Sequence, residues 1–234
     1  MATRTPPDRE VPDEVGIAEA KAAFHLRLRS RGIQDLRVLR AIETVPRALF
    51  VPHRHVDLAS RDLALPIACG QTMPEPWLVA RTLEAARLNQ DHRVLEIGTG
   101  SGYATAVLSQ LVAEVLSVER FQSLATEARG RLEHIGIAQT TVLWGDGMSL
   151  GPDIGLFDRI IVHATVAEAI PSSWVQALKP HGLIMMGRTD PLSRLRQNLV
   201  VCERTREERN AGFMETAVVP CRLQPLIPGT ARGL

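Results

Sequence analysis

The chain has 234 residues, of which 45% are hydrophobic and 23% are charged. These values are typical of a folded globular protein with one large domain or one domain with an extension. The formal net charge is only +1, which argues against binding to nucleic acid or to a membrane surface. The three cysteines are odd in number and scattered along the chain, so neither a disulfide framework nor a thiolate metal site is expected.

The first part of the sequence predicts a tail and a helical cover. Residues 1–15 are polar and contain proline without an apolar core, which predicts a flexible tail and no signal peptide. Together with the cysteine usage, this favours a cytoplasmic protein with one domain over 16–234. Residues 17–31 have a helical apolar pattern that Gly32 ends, and Asp35 is placed to cap a second helix that Pro46 ends.

Residues 50–76 are rich in turn-forming residues and contain a compact loop with the sequence CGQTMPEP, from Cys69 to Pro76. Loops of this kind, held between rigid flanks, often have a functional role. A helix is predicted from Trp77 to Arg87. Residues 16–90 are therefore expected to form a helical N-terminal cover that includes this loop.

Strands and helices alternate in the next part of the chain, residues 91–190. This alternation predicts an α/β fold with a Rossmann-like, doubly wound sheet. Residues 191–234 are expected to add a C-terminal β-hairpin from strands at 198–202 and 213–222, joined by a charged turn at 203–210. The other predicted strands are 93–97, 114–118, 140–144, 159–164 and 182–187, and the other predicted helices are 102–112, 121–135 and 171–178.

The most informative segment is Val94–Tyr103, which reads VLEIGTGSGY. It predicts a buried strand, a glycine-rich turn and a helix start, whose free N–H groups face a ligand. The spacing G-x-G-x-G behind a carboxylate differs from the G-x-G-x-x-G of dinucleotide sites. It favours a cationic ligand without phosphates, such as S-adenosylmethionine. The residues assigned to this ligand are Glu96, Gly98, Thr99, Gly100, Ser101 and Gly102.

Two more carboxylates follow predicted strands. Glu119 ends the second strand, about 20 residues after the glycine turn, where it is placed to accept hydrogen bonds from both ribose hydroxyls. Asp146 follows the third strand between two glycines, where it is placed to accept from an adenine amino group, and Gly147 leaves room for the ring. Three strand-end acids in register strengthen the prediction of a cofactor site.

The chain resembles the protein-L-isoaspartate O-methyltransferase family. The resemblance implies the fold of S-adenosylmethionine-dependent methyltransferases, with methyl transfer to the α-carboxylate of isoaspartyl and D-aspartyl residues in damaged proteins. The ester is then expected to cyclise to a succinimide and reopen in part as aspartate. The resemblance rests on segments at residues 27–33, 45–47, 50–52, 65–67, 70–72, 95–103, 118–120, 145–147, 157–160 and 178–180.

One position departs from the family pattern. The family has a serine in the active-site loop where this chain has Pro74, which has neither a hydroxyl nor a backbone N–H. Thr72 is the candidate to replace it, and Gln71, Met73 and His163 are expected to contact the acceptor. Two alternatives follow from Pro74. One is a methyltransferase of the same scaffold with another carboxylate acceptor, and the other is a homologue that binds the cofactor without catalysis.

The remaining candidates predict no metal site. His53 and His55 have a spacing that metal sites use, but a pair of histidines does not make a zinc site, which needs three or four converging ligands. The expected partners are proteins or peptides that contain isoaspartate, and the chain itself is expected to be a monomer or a weak homo-oligomer.

Overall fold

The computed structural model describes residues 14–190, 193–204 and 212–233. The helices in this part are α1 (Glu14–Ser30), α2 (Leu36–Thr44), α3 (Pro76–Ala85), α4 (Tyr103–Ser109), α5 (Gln122–His134) and α6 (Ser172–Ala177). The strands are β1 (Leu65–Pro66), β2 (Thr72–Met73), β3 (Arg93–Ile97), β4 (Glu114–Glu119), β5 (Thr140–Trp144), β6 (Phe157–Val166), β7 (Leu178–Asp190), β8 (Ser193–Arg204) and β9 (Phe213–Cys221).

Seven strands form the main sheet, in the order β5-β4-β3-β6-β7-β8-β9. The first five are parallel to one another, whereas β8 is antiparallel to both β7 and β9. This confirms the predicted α/β class and doubly wound sheet. The C-terminal strands β8 and β9 pair as the predicted hairpin, and they extend the sheet at one edge.

Apolar side chains of successive strand residues face opposite sides of the sheet. Val94 of β3 packs in one core with α2 to α5, and Leu95 packs in a second core with Trp174 of α6. Both residues are fully buried. Both faces of the sheet are therefore covered, as parallel sheets require.

The order of the strands reverses between β3 and β6, which are neighbours although two strands separate them in sequence. The chain leaves β3 toward α4 on one face, whereas it leaves β6 toward α6 on the other. Such a switch point opens a crevice beyond the carboxyl ends of the two strands, where α/β proteins bind their ligands.

Several boundaries differ from the prediction. Helix α1 begins at Glu14, so residues 14 and 15 belong to it, and the rest of the predicted tail lies outside the described residues. Strand β8 continues to Arg204, and most of the predicted turn at 203–210 lies outside the described residues as well.

Strand β7 starts four residues earlier than predicted, at Leu178, because Leu178 pairs with Phe157 of β6. The segment between Leu178 and Gly182 contains Pro180, and proline and glycine commonly interrupt a strand. In the structure both Pro180 and Gly182 are part of β7, whose pairing with β6 is irregular here, and His181 has a positive φ of 63°.

The loop at 69–76 is part of a small hairpin. Strands β1 and β2 pair antiparallel, and the turn between them places Cys69 and Gly70 at φ values of 57° and 63°. Pro76 then occupies the first turn of α3, where its missing N–H breaks no helical hydrogen bond. None of the helices in the described part of the chain is both long and apolar enough to cross a membrane.

Candidate functional site

A cavity of about 600 Å³ opens at the switch point between β3 and β6. The glycine turn after β3, the end of β4 and the β1–β2 hairpin contribute to its wall, together with the segment that follows β9. The predicted site residues that line it are Gln71, Thr72, Met73, Pro74, Gly98, Thr99, Gly100, Ser101, Glu119 and His163. The fold therefore brings the predicted cofactor turn and the predicted acceptor loop to one cavity.

The glycines of the turn have two different structural roles, since two of them line the cavity and the third allows close packing of helices. Gly98 and Gly100 line the cavity with φ values of +92° and +56°, which other residues rarely adopt. Gly102 has φ +90°, but a β-carbon there would lie 3.2 Å from the Cβ atom of Ala128 in α5. Gly102 is not among the lining residues, and it lets α4 pack closely on α5.

Glu119 is the strand-end carboxylate that reaches the cavity. It is 5% exposed and accepts hydrogen bonds from the backbone N–H of Gly100 at 2.9 Å and of Phe121 at 3.0 Å. Burial raises the pKa of Glu119. Each carboxylate oxygen has two acceptor positions, so capacity for a ligand remains after these two bonds.

Glu96 is a buried carboxylate of β3, and its assignment to the cofactor stays a prediction. It is 0% exposed and does not line the cavity. Its carboxyl accepts hydrogen bonds from the hydroxyls of Thr105 and Ser117, the latter at 2.6 Å, and it lies 2.9 Å from Nε2 of His163. Glu96 thus joins β3 to α4, β4 and β6, and it holds the imidazole of His163 at the cavity wall.

Asp146 and Gly147 are also absent from the cavity wall. The carboxylate of Asp146 accepts from the N–H of Met148 at 2.9 Å and of Gly229 at 2.8 Å. A β-carbon on Gly147 would lie 2.5 Å from Cγ2 of Ile97, so this glycine serves packing against β3. The assignment of both residues to the cofactor stays a prediction.

The C-terminal segment 229–233 runs over the ends of β4 and β5. Ala231 exchanges hydrogen bonds with Arg120 and Gln122, at 2.8 and 2.9 Å, and the carbonyl of Arg232 accepts from Ser123. These carbonyls satisfy the first N–H groups of α5, which no side chain caps. The segment therefore covers the region beside Asp146 and Glu119.

The titratable side chains of the described residues form no group of three or more histidines, cysteines, aspartates or glutamates that is arranged to hold a metal ion.

Comparison with known proteins decides the family. A sequence profile described as protein-L-isoaspartate(D-aspartate) O-methyltransferase matches residues 19–227. The chain belongs to this family. A protein-L-isoaspartate O-methyltransferase 2 of Rhodopseudomonas palustris (strain HaA2) is 48% identical over 92% of this chain and 95% of its own length. A protein-L-isoaspartate O-methyltransferase of Nitrobacter winogradskyi is 46% identical over the same shares of the two chains.

A solved structure agrees with the family assignment. A protein-L-isoaspartate O-methyltransferase superposes with a TM-score of 0.75 and 26% identity, covering 88% of this chain and 65% of that longer chain. The fold class expected for the family is therefore confirmed.

A buried arginine anchors the loop that contains Pro74. Arg47 is 7% exposed. Its guanidinium donates to the carbonyls of Ala59, Arg61 and Leu63 at 2.8–3.1 Å and to that of Pro74 at 3.4 Å. Burial lowers the pKa of Arg47, and four carbonyls compensate the buried charge. Pro74 is therefore held through its carbonyl.

Another part of the cavity wall was not predicted from the sequence. After β9, the chain contributes Arg222, Leu223 and Gln224 to the wall, and Gln197 of β8 lies beside them. No motif marks these residues. Their place depends on the pairing of Gln197 with Cys221 across β8 and β9, which links positions 24 residues apart.

Proposed function

We propose that this chain transfers a methyl group from S-adenosylmethionine to the α-carboxylate of L-isoaspartyl residues in proteins, as the names of its relatives describe for them. The observation that carries the proposal is that the glycine turn, Glu119 and the acceptor loop line one cavity. Donor and acceptor sites that open into one cavity are the arrangement that direct group transfer requires.

The residues at the glycine turn fit the proposed cofactor. Gly98 and Gly100 have no side chain that would keep a ligand away from the backbone at the cavity. The remaining acceptor positions of Glu119 suit the two hydroxyls of a ribose. S-adenosylmethionine, when bound, supplies a sulfonium-activated methyl group that a carboxylate oxygen takes as the carbon–sulfur bond breaks. Asp146 is proposed as an additional acceptor for the adenine amino group.

The acceptor needs orientation more than activation. A carboxyl group with a pKa of about 4 is already ionised at neutral pH, so methylation requires no general base. Aligned reactants gain up to roughly 7–11 kcal/mol from positioning alone. The exposed hydroxyl of Thr72 lines the cavity and makes no hydrogen bond with another described residue, so it is free to donate to the acceptor. Gln71 and Met73 flank it, and His163, held by Glu96, lies at the same wall.

The methyl ester serves repair because it activates the isoaspartyl carbonyl. The next backbone nitrogen attacks this carbonyl, loses its proton and expels methanol, which forms a succinimide. Water then opens the ring at either carbonyl and restores aspartate in part of the molecules. These later steps need no residue of this chain.

The direct test is transfer of labelled methyl from S-adenosylmethionine to two peptides that differ only in isoaspartate or aspartate at one position. We expect label on the isoaspartyl peptide alone, released by base as an ester would be. Label on neither peptide, with cofactor binding confirmed by calorimetry, would contradict the proposal.

Pro74→Ser is expected to raise kcat/KM for the isoaspartyl peptide about tenfold. A hydroxyl that donates to a charged group contributes about 1.5–3 kcal/mol, and each 1.4 kcal/mol is about a factor of ten. Since Arg47 holds the carbonyl of residue 74, the backbone should keep its place.

Pro74→Ala is the matched control for this substitution, because it restores the backbone N–H without adding a hydroxyl. Steady-state kinetics of the three proteins separate the two effects. If the serine variant is no faster than the alanine variant, the hydroxyl at this position has no role in this chain.

A further inference from the structure

The cavity has an uneven charge distribution. Among the described residues that line it, Glu75 and Glu119 are acidic, and Arg222 has the permanent positive charge. His163 is tied to Glu96 through Nε2. A carboxylate that enters this cavity meets two like charges, and unpaired charges are costly to remove from water. Its binding therefore calls for a cation at the wall.

Arg222 is placed to act as this cation. It directly follows β9, whose last residue, Cys221, pairs with Gln197 of β8. The next backbone N–H, of Leu223, donates to Oε1 of Gln197 at 2.8 Å, and the Leu223 carbonyl accepts from the Thr165 hydroxyl at 3.3 Å. The backbone on both sides of Arg222 is thus fixed by β8 and β6.

The guanidinium of Arg222 is available, in contrast to the other arginines near the site. Arg47 donates to four carbonyls, and Arg188 pairs with Glu215. Arg222 is exposed and is one of the residues that line the cavity, and no hydrogen bond or ion pair joins its side chain to another described residue. A free guanidinium presents two parallel N–H donors, which match the two oxygens of a carboxylate.

We propose that Arg222 binds the α-carboxylate of the isoaspartyl acceptor and determines the preference of the site for an ionised acceptor. This inference rests on the proposed function. In this role it compensates for the donor that Pro74 lacks. The contact acts on binding and orientation, and no proton changes place.

The test uses two capped peptides without other ionisable groups. One contains isoaspartate, and the other contains its α-carboxamide at the same position. Calorimetry measures the binding of each to the protein saturated with S-adenosylhomocysteine, which has no methyl group to transfer. The variants are Arg222→Gln, Arg222→Lys and, as a matched control, Arg196→Gln, which replaces an exposed arginine of β8 that does not line the cavity.

The wild-type protein should bind the carboxylate peptide about tenfold or more tightly than the amide peptide. Arg222→Gln should bring this ratio close to one, Arg222→Lys should keep part of it, and Arg196→Gln should leave it unchanged. In methyl transfer, the loss in Arg222→Gln should fall mainly on KM. Each variant is checked by thermal melting, since a folding defect would weaken both peptides equally and leave the ratio intact.

An unchanged ratio in Arg222→Gln would overturn the inference, as would a wild-type protein that does not distinguish the peptides. A third peptide, with the amide and a neighbouring aspartate, covers the other source of a carboxylate. If Arg222→Gln weakens this peptide alone, the arginine recognises flanking acids and the inference is wrong. Because binding is measured without transfer, failure of the proposed function appears separately, as absence of label in the wild-type reaction.

Discussion

Glu96→Ala is expected to lower the free energy of unfolding by roughly 3–5 kcal/mol. The carboxyl is fully buried and accepts from Thr105 and Ser117 while it holds His163. Its removal leaves a cavity and deprives buried donors of their acceptor, at about 1–3 kcal/mol for each unsatisfied group. Urea unfolding followed by circular dichroism measures the change.

Glu96→Gln is the control for size, because it keeps the volume and one acceptor oxygen, and we expect it to lose less stability than the alanine variant. An alanine variant that unfolds at the same urea concentration as the wild-type protein would contradict the structural role. Because Glu96 does not reach the cavity wall, the folded glutamine variant should bind S-adenosylhomocysteine with little change in affinity.

Glu119→Ala is expected to weaken the binding of S-adenosylhomocysteine by a factor of about 100 or more. If this carboxylate accepts both ribose hydroxyls, two hydrogen bonds to a charged group are lost, at about 1.5–3 kcal/mol each. A factor of ten corresponds to about 1.4 kcal/mol. Isothermal titration calorimetry gives the two dissociation constants.

Two controls separate this effect from damage to the turn. Glu119→Gln keeps one acceptor oxygen for Gly100 or Phe121, which now donate to the carboxylate, and should fall between alanine and wild type. Glu133→Ala removes an exposed carboxylate on α5 and should bind normally. Unchanged affinity in folded Glu119→Ala would remove Glu119 from the cofactor site.

The contrast between Glu96 and Glu119 shows what a local sequence pattern can predict about the cavity and what it cannot. Both are acidic residues near the ends of neighbouring parallel strands, and from sequence both were predicted to bind the cofactor. Only Glu119 lines the cavity. Glu96 lies one residue before the end of β3, and it is paired with Thr105, Ser117 and His163, which are separated from it by 9 to 67 positions.

The sequence by itself determined the class of the fold and the position of the glycine turn. Both depend on short-range features: apolar residues that repeat with the period of a strand or helix, and glycines where the backbone needs a positive φ. For the same reason, strands β3 to β5 agree with the prediction within one residue.

Only the tertiary structure decided which strand-end acids face the cavity, which arginine holds the loop and which is free. Arg47 reaches carbonyls up to 27 positions away, and Arg222 reaches the cavity through the pairing of β8 with β9 and the packing of the following segment on Thr165. Such contacts join segments that are distant in sequence. The entropic cost of closing a loop grows only slowly with the length of the loop. The separation of two residues in the sequence therefore does not reveal whether they form such a contact.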